Sequence, residues 1–139
     1  MAIHQEVTLA APPSTIYELL TNSEKFSLAT GMPATIGAGE GAEFSLFAAH
    51  VEGRQIELIK NERVVQAWRF PGWPQGIYTL VRLTLVPVEE GTKLLLDQDA
   101  IPDGVSPLYD TWLEHIATNW ATFYFKPFIN YLQATLEVA

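Results

Sequence analysis

Residues able to perform acid–base, metal or nucleophilic chemistry are few in this chain, and their spacing assembles no catalytic set. The three histidines, His4, His50 and His115, lie far apart, and no two have the i and i+4 spacing of metal ligands on one helix face. Glu89 and Glu90 fall in a predicted turn, where a solvated charge pair is expected. No serine lies in a nucleophile elbow, and no glycine-rich loop is placed to cradle a phosphate. The sequence therefore predicts no catalytic residue, no metal site and no cofactor.

Gln98 is the most informative polar residue, because it occupies a position where an apolar side chain is expected. It continues the alternation of Leu94 and Leu96 in a predicted strand, so its amide points to the same side as those leucines. A buried amide without a hydrogen bond costs about 1–3 kcal/mol. Two interpretations follow. The amide bonds Asn119, His115 or a water inside an ordinary core, or it orients a ligand in a mostly apolar pocket.

The segment PGWPQG at residues 71–76 is a second unusual feature. Its two prolines and two glycines restrict the backbone and are typical of a turn with one fixed shape. Trp73 within this turn has three interpretations. It is a lid folded back over the end of the core, a gate to a pocket, or an exposed anchor for a protein partner.

A long helix is predicted from Ser106 to Glu137, and the rest of the chain is expected to be built around it. One helical face of this stretch is formed by Trp112, Ile116, Trp120 and Phe123. Rings on more than one side indicate that the helix is mostly buried. Pro127 removes a backbone donor, which predicts a kink and not a stop. The rings are either plain core or the roof of a ligand cavity.

Before this helix, the pattern predicts one strand, two short helices and a run of strands. Residues 3–9 alternate as a first strand, and Ala-Pro-Pro then opens a helix. Ser23 is predicted to cap a second helix, Glu24 to Ala29. Residues 30–41 are rich in Gly, Ala and Pro and predict a crossing loop. Five strand candidates follow: Ala42–Phe47, His50–Ile59, Arg63–Phe70, Ile77–Pro87 and Thr92–Ile101.

Short connections between these candidates are typical of antiparallel neighbours. The sequence therefore predicts an α+β fold. A curved antiparallel sheet of about six strands wraps around the long C-terminal helix, with two short helices after the first strand. By length, residues 1–139 are expected to form one domain.

Composition narrows the class of protein further. An apolar content of 48% with 17% charged residues is typical of an ordinary globular chain, and no apolar run is long enough to span a bilayer. The net charge of −8 repels phosphate backbones, so nucleic acid is not an expected partner. The chain shows no secretion signal and contains no cysteine, and a cytoplasmic location is expected.

Five motifs, in a fixed order, resemble those of a known family. They are FSLFAAHVEG (44–53), ERVVQAWRF (62–70), GWPQGIYTLVRLTL (72–85), GTKLLLDQDAIP (91–102) and NWATFYFKPFINYL (119–132). With the order of elements, they are similar to the START-like, or SRPBCC, helix-grip superfamily. Within it they resemble the activator of 90-kDa heat-shock protein ATPase homologue (AHSA) family.

Two small departures from the family pattern are visible. Asn119 precedes Trp120 where the family usually has Gly, and Ala100-Ile101-Pro102 stands where Gly-Val-Pro is frequent. The eukaryotic co-chaperone of this family also carries a separate N-terminal domain, to which nothing in this sequence corresponds.

The resemblance implies a cavity between sheet and helix, and three functional hypotheses follow. The first is non-catalytic binding of a small hydrophobic or amphipathic molecule. The second is a chaperone-assisting interaction in the stress response, stimulating the ATPase of a 90-kDa heat-shock chaperone. The third is a cyclase- or hydrolase-type enzyme on the same fold, with His115 and Gln98 as acid–base candidates. The predicted ligand-binding residues are Phe44, Trp68, Trp73, Tyr78, Leu96, Gln98, Trp112, His115, Asn119 and Phe123.

Overall fold

Alternating apolar residues along the middle of the chain form an antiparallel sheet in a computed structural model, which describes residues 3–99 and 120–138. Within these ranges the sheet has seven strands in the order β1-β7-β6-β5-β4-β3-β2. The strands are β1 (Ile3–Leu9), β2 (Thr35–Ile36), β3 (Glu43–Leu46), β4 (Val51–Ile59), β5 (Arg63–Arg69), β6 (Thr79–Val88) and β7 (Gly91–Gln98). The antiparallel α+β architecture is therefore confirmed, with one strand more than the six expected.

The additional strand is β2, which lies inside the predicted crossing loop. It has only two residues and pairs with β3 alone, so it is too short to show an alternating pattern. The Ser23 hydroxyl accepts from the Ile36 N–H at 2.7 Å and donates to the Ile36 carbonyl at 3.2 Å. A side chain from a helix thus stabilises this short edge strand.

Two short helices follow β1, as predicted, and they are α1 (Pro13–Thr21) and α2 (Ser23–Thr30). The predicted cap of α2 is wrong by one residue. Asn22 is the N-cap, with extended backbone angles, and its side chain accepts from the Lys25 N–H at 2.9 Å. Because Asn22 supplies that acceptor, the helix begins at Ser23, and the Ser23 hydroxyl is available to β2.

The C-terminal helix changes type along its length. A π-helical segment, Trp120–Phe125, leads into the α-helix α3 (Lys126–Val138), and Pro127 lies in the first turn of α3. The helix continues past Pro127, as predicted, and the turns just before it are wider than those of an α-helix. Tyr124 shares the buried face with Trp120, whereas the wider turns rotate Phe123 away from that face. The predicted helical residues 106–119 lie outside the described part of the chain.

The inner face of the sheet is organised in rows of directly paired residues. The glutamine row, as we call it, crosses five strands through the pairs Gln55↔Gln66, Gln66↔Val81, Val81↔Gln98 and Ile3↔Gln98. On one side of it lies an aromatic row, formed by Phe44, Gly53, Trp68 and Thr79. On its other side the rows are apolar, and α1 packs against them with Ile16, Leu19 and Leu20. The inner face is therefore apolar at one end and aromatic at the other.

None of the described helices is long and apolar enough to cross a membrane.

Candidate ligand-binding site

A cluster of aromatic rings lies between the inner face of the sheet and the C-terminal helix. The Trp68 indole of β5 stacks on the Trp120 indole of the π-helical segment, with centroids 6.0 Å apart and planes at 23°. Trp120 contacts Tyr124 at 4.2 Å, and Tyr124 contacts Phe47 edge-on at 5.1 Å. These side chains are buried. We call Trp68, Trp120, Tyr124 and Phe47 the ring cluster.

Phe47 enters this cluster from a strained connection between β3 and β4. Phe47, Ala48 and Ala49 have φ angles of 54°, 55° and 69°. Left-handed backbone costs an L-residue roughly 1–2 kcal/mol, so three in succession need compensation. Packing of the Phe47 ring against Phe26 and Tyr124 supplies part of it.

Gln98 lies at the edge of the ring cluster, and its predicted inward orientation is confirmed. Its side chain is 1% exposed, and its Oε1 accepts a hydrogen bond from the Trp120 Nε1–H at 2.8 Å. This partner differs from Asn119, His115 or a water, the three that the sequence suggested. The Gln98 Nε2 group has no hydrogen-bond partner within the described part of the chain. Half of the amide is thus held, and its donor half is uncommitted.

Two further polar atoms of the ring cluster are buried without a partner among residues 3–99 and 120–138. They are the Trp68 Nε1 and the Tyr124 hydroxyl. Burial raises the pKa of Tyr124, and Trp68 opposes this shift to a smaller degree. The Trp68 indole is therefore close to the phenol oxygen, although the pair does not meet hydrogen-bond geometry. Tyr124 stays neutral at physiological pH and is available as a donor.

A second polar feature on the inner face is the pair formed by Gln55 and Gln66. Both side chains are buried, and the Gln66 Nε2–H donates to the Gln55 Oε1 at 3.2 Å. The other atoms of the two amides, Gln55 Nε2 and Gln66 Oε1, have no partner in the described residues. The sheet interior thus presents uncommitted donors and one uncommitted acceptor.

The turn between β5 and β6 folds back over the end of the ring cluster. Trp73 is buried and packs edge-on against Phe70 at 5.5 Å, and Phe70 contacts Trp68 at 5.0 Å. This contradicts the interpretation of Trp73 as an exposed anchor, since the turn places its ring in the core. Trp73 is a lid over that end of the molecule.

Arg69 holds this turn in place. Its Nη2 donates to the Trp73 carbonyl at 2.6 Å, its Nε donates to the Ile77 carbonyl at 3.2 Å, and its Nη1 pairs with Glu52. The planar guanidinium satisfies several carbonyls at once, which a lysine cannot do. Its Cζ also lies 5.7 Å from the centre of the Tyr78 ring.

The remaining predicted site residues fall into three groups. Phe44 and Leu96 are buried on the inner face, in the aromatic row and beside the glutamine row. Phe123 and Tyr78 are 39% and 41% exposed; Phe123 touches Phe47 at 5.7 Å, whereas the described ring contacts include none between Tyr78 and the ring cluster. Trp112, His115 and Asn119 lie outside the described residues.

The side chains that sequence reasoning missed are Gln55, Gln66, Tyr124 and Arg69. Gln66 was readable, because in ERVVQAWRF it shares the alternation of Val64 and Trp68. Gln55 was hidden by the register shift between Gln55 and Glu57, which breaks the period of β4. Tyr124 was also readable, because it lies four residues after Trp120, a spacing that shares one helical face.

A separate groove of about 630 Å³ lies where the start of α1 meets the β4–β5 connection. Its lining includes Pro12, Ser14, Asn61, Arg63 and Pro87, and it contains none of the predicted site residues. Among the described residues no cluster of three or more His, Asp or Glu side chains is arranged to hold a metal ion.

The chemistry available at the ring cluster is recognition by hydrogen bonds and apolar contact. The described buried polar residues are Gln55, Gln66, Arg69, Thr79, Thr92 and Gln98, to which Tyr124 adds its hydroxyl. These groups can donate or accept hydrogen bonds. The enzyme hypothesis rests on His115, outside the described residues, and stays a prediction.

An antiparallel sheet whose inner face packs on a C-terminal helix, with rings between them, defines a START-like helix-grip protein. A family profile described as "Activator of Hsp90 ATPase homolog 1-like protein" matches residues 10–133. The chain belongs to this family, and the resemblance seen in its motifs is confirmed.

Curated and solved relatives agree with this assignment. The human "Activator of 90 kDa heat shock protein ATPase homolog 1" is 27% identical over 119 residues, covering 86% of this chain and 33% of that protein. The chain thus spans about a third of the length of the curated relatives it matches. The crystal structure of an HSP90 activator from Plasmodium falciparum superposes with a TM-score of 0.75 and 25% identity, over 91% of this chain and 90% of that one. A Mesorhizobium loti protein has a TM-score of 0.80 at 18% identity, covering 97% and 98%, and supports the fold.

Proposed function

We propose that this protein binds a small, mostly apolar molecule between the sheet and the C-terminal helix, at the ring cluster. The observation that carries the proposal is the set of uncommitted buried donors around the stacked indoles. The Gln98 Nε2–H, the Trp68 Nε1–H and the Tyr124 O–H all lack partners within the described residues. Buried polar groups in native proteins are nearly always bonded, and each exception costs about 1–3 kcal/mol.

A ligand that carries a hydrogen-bond acceptor removes this cost when it binds. Flat apolar parts of such a ligand pack against indole and phenol faces, and its acceptor meets donors fixed by the sheet and the helix. Trp120 is already fixed by its bond to Gln98, so the stack is preorganised. Phe44, Leu96 and Trp73 supply apolar surroundings in this proposal.

The test is a titration of ¹⁵N-labelled protein with fatty acids, sterols, flavonoids and polyketide-like aromatics, read in two-dimensional NMR spectra. The indole N–H signals of the four tryptophans are assigned by single Trp→Phe variants. Binding at the site moves the Trp68 and Trp120 signals and the Gln98 side-chain amide saturably. Tyr124→Phe, which removes one donor, should weaken an acceptor-bearing ligand several-fold.

An exposed position outside the ring cluster supplies the matched control. Lys60→Ala lies in the β4–β5 connection, away from the ring cluster, and should leave the affinity unchanged. If the whole panel leaves the Trp68, Trp120 and Gln98 signals unmoved, the interior is plain core and the proposal fails.

A second candidate function is assistance to a 90-kDa heat-shock chaperone in the cytoplasm. The family assignment favours it, and the human relative and the Plasmodium falciparum neighbour are named as activators of that chaperone. The surface that would serve it is not Trp73, which is buried. Adding this protein to such a chaperone should raise its ATPase rate. An unchanged rate, beside stimulation by a known co-chaperone, would exclude this role.

A further inference from the structure

The glutamine row offers both hydrogen-bond donors and an acceptor, which an apolar ligand does not require. Gln55, Gln66 and Gln98 occupy one line across the inner face, with Val81 between the last two. Of their amide atoms without a partner in the described residues, two are donors, Gln55 Nε2 and Gln98 Nε2, and one is an acceptor, Gln66 Oε1. An acceptor beside a donor does not match a ligand that only accepts.

The Gln55–Gln66 pair has the same kinds of unbonded polar atom whichever way the two amides are oriented. A single hydrogen bond between two amides uses one N–H group and one oxygen. It leaves the nitrogen of one amide and the oxygen of the other without any bond, whichever residue supplies each. The two residues are directly opposite each other on β4 and β5, so the uncommitted donor and acceptor belong to one bonded pair of amides.

Charge on the ligand is disfavoured by the same surroundings. The one charged side chain among the described buried residues is Arg69, and its guanidinium is committed to Glu52 and to carbonyls of the β5–β6 turn. An ionised ligand group at the glutamine row would lose its hydration without meeting an opposite charge. A neutral group avoids this loss.

We propose that the ligand carries an uncharged carboxamide-type group, a primary amide or a lactam, which pairs with Gln55 Nε2 and Gln66 Oε1. Its carbonyl accepts from the first and its N–H donates to the second. The inference rests on the proposed function, since the apolar part of the ligand lies toward Trp68, two residues from Gln66 on the same strand. It adds the chemical class of the polar end.

Three naphthalene compounds of nearly equal size test the inference: naphthalene, 2-naphthoate and 2-naphthamide. They differ in having no polar group, an ionised acceptor, and a neutral donor–acceptor pair. Dissociation constants come from the NMR titration of the Trp68 and Trp120 indole signals. We expect 2-naphthamide to bind at least about tenfold more tightly than either of the others, as one or two net hydrogen bonds provide.

Two variants locate the preference. In the Gln66→Leu protein, the dissociation constant of 2-naphthamide should lie within about twofold of that of naphthalene. The double variant Gln55→Leu with Gln66→Leu should do the same while removing both members of the pair, so that no lone buried amide is left. Gln133→Leu, on the exposed face of α3, is the matched control and should retain the full preference.

The outcomes separate the two proposals. If naphthalene and 2-naphthamide bind equally, if 2-naphthoate binds best, or if the preference survives Gln66→Leu, the carboxamide inference is overturned and apolar binding stands. If no compound, in this set or the larger panel, moves the Trp68 and Trp120 signals, both proposals fail together.

Discussion

At the scale of single residues, the bond between Trp120 and Gln98 joins the C-terminal helix to the last strand across the core. Both side chains are buried, and the 2.8 Å bond satisfies one end of the amide and the indole nitrogen together. Tyr124, one turn away, is equally buried and its hydroxyl has no partner in the described residues. Trp120 and Tyr124 are therefore suited to comparison, because the Trp120 Nε1–H is hydrogen-bonded and the Tyr124 hydroxyl is not.

Trp120→Phe should destabilise the protein by about 3 kcal/mol, because it removes ring volume and leaves the Gln98 amide without any bond. Tyr124→Phe removes only an unpartnered hydroxyl, and its free energy of unfolding should stay within about 0.5 kcal/mol of the parent or rise. Urea unfolding followed by circular dichroism measures both. Equal losses in the two variants would show that the Gln98 bond contributes little.

Position 53 requires glycine because neighbouring atoms leave no space for a Cβ atom, and not because of its backbone angle. A Cβ atom at this position would lie 1.9 Å from the Ala67 carbonyl oxygen and 2.8 Å from Phe44 Cζ. Gly53→Ala should therefore cost about 3 kcal/mol, since the strand backbone or the Phe44 ring has to move. Gly72→Ala is the control, because a Cβ there has no atom within 4 Å and the change should be nearly neutral. Chemical denaturation compares the two, and a stable Gly53→Ala protein would contradict the close approach.

At the scale of elements, alternation predicted the strands well because the sheet has one buried face. β7 buries every second residue, among them Leu94, Leu96 and Gln98, which the alternation had placed on one side, and β6 buries every second residue from Thr79 to Leu85. Patterns failed where a feature depends on contacts distant in the chain. β2 exists through Ser23 and β3, Gln55 sits beside a bulge, and Phe123 leaves the buried face where the helix is π-helical. None of these has a local signature.

The shape of the β5–β6 turn also depends on a contact that the local sequence pattern does not indicate, the bonds from Arg69. Composition indicated a rigid turn, but its direction is set by the Arg69 guanidinium, which bonds carbonyls on both arms of the turn. Arg69→Lys keeps the charge and loses the planar set of donors, so it should cost about 1–2 kcal/mol. We also expect the turn to loosen and expose Trp73.

Tryptophan fluorescence measures that loosening. The emission of Trp73 is obtained as the difference between each protein and its counterpart carrying Trp73→Phe. In the Arg69→Lys protein this difference spectrum should shift to longer wavelength. Arg54→Lys, whose partner Glu43 is exposed, is the control and should leave it in place. An unchanged Trp73 spectrum in Arg69→Lys would mean that the turn holds its shape without the guanidinium.

At the scale of the whole molecule, the first described strand along the chain, β1, pairs with the last one, β7. The pairing brings His4 beside Asp97, and the His4 Nδ1 and the Asp97 Oδ1 are 2.6 Å apart on the outer face. The His4 Nε2 lies 2.8 Å from the Glu6 Oε2, and Lys93 approaches the other oxygen of Glu6 at 2.9 Å. Charges from two strands that are distant in sequence thus form one exposed network.

This network makes the free energy of unfolding depend on pH. Hydrogen bonds to Asp97 and then to Glu6 raise the pKa of His4 above its ordinary 6.5. A raised folded-state pKa gives stability that is fully present below 6.5 and is lost as the pH rises through the folded value. Bonds to Lys93 and then to His4 lower the pKa of Glu6 below 4.5, and that contribution is lost as the pH falls through the folded value. The stabilising contributions of His4 and Glu6 are therefore both present between pH 4.5 and pH 6.5.

Replacing the ring tests this assignment. His4→Gln should remove most of the decline in the free energy of unfolding between pH 6 and 8, measured by urea denaturation at low salt. His50→Gln is the matched control, because His50 lies at a turn and bonds a backbone carbonyl, so its variant should keep the decline. Because the network is exposed, 0.5 M salt should flatten the parent's profile toward that of His4→Gln. If His4→Gln retained the parent's full decline at low salt, the pH dependence would originate elsewhere in the chain.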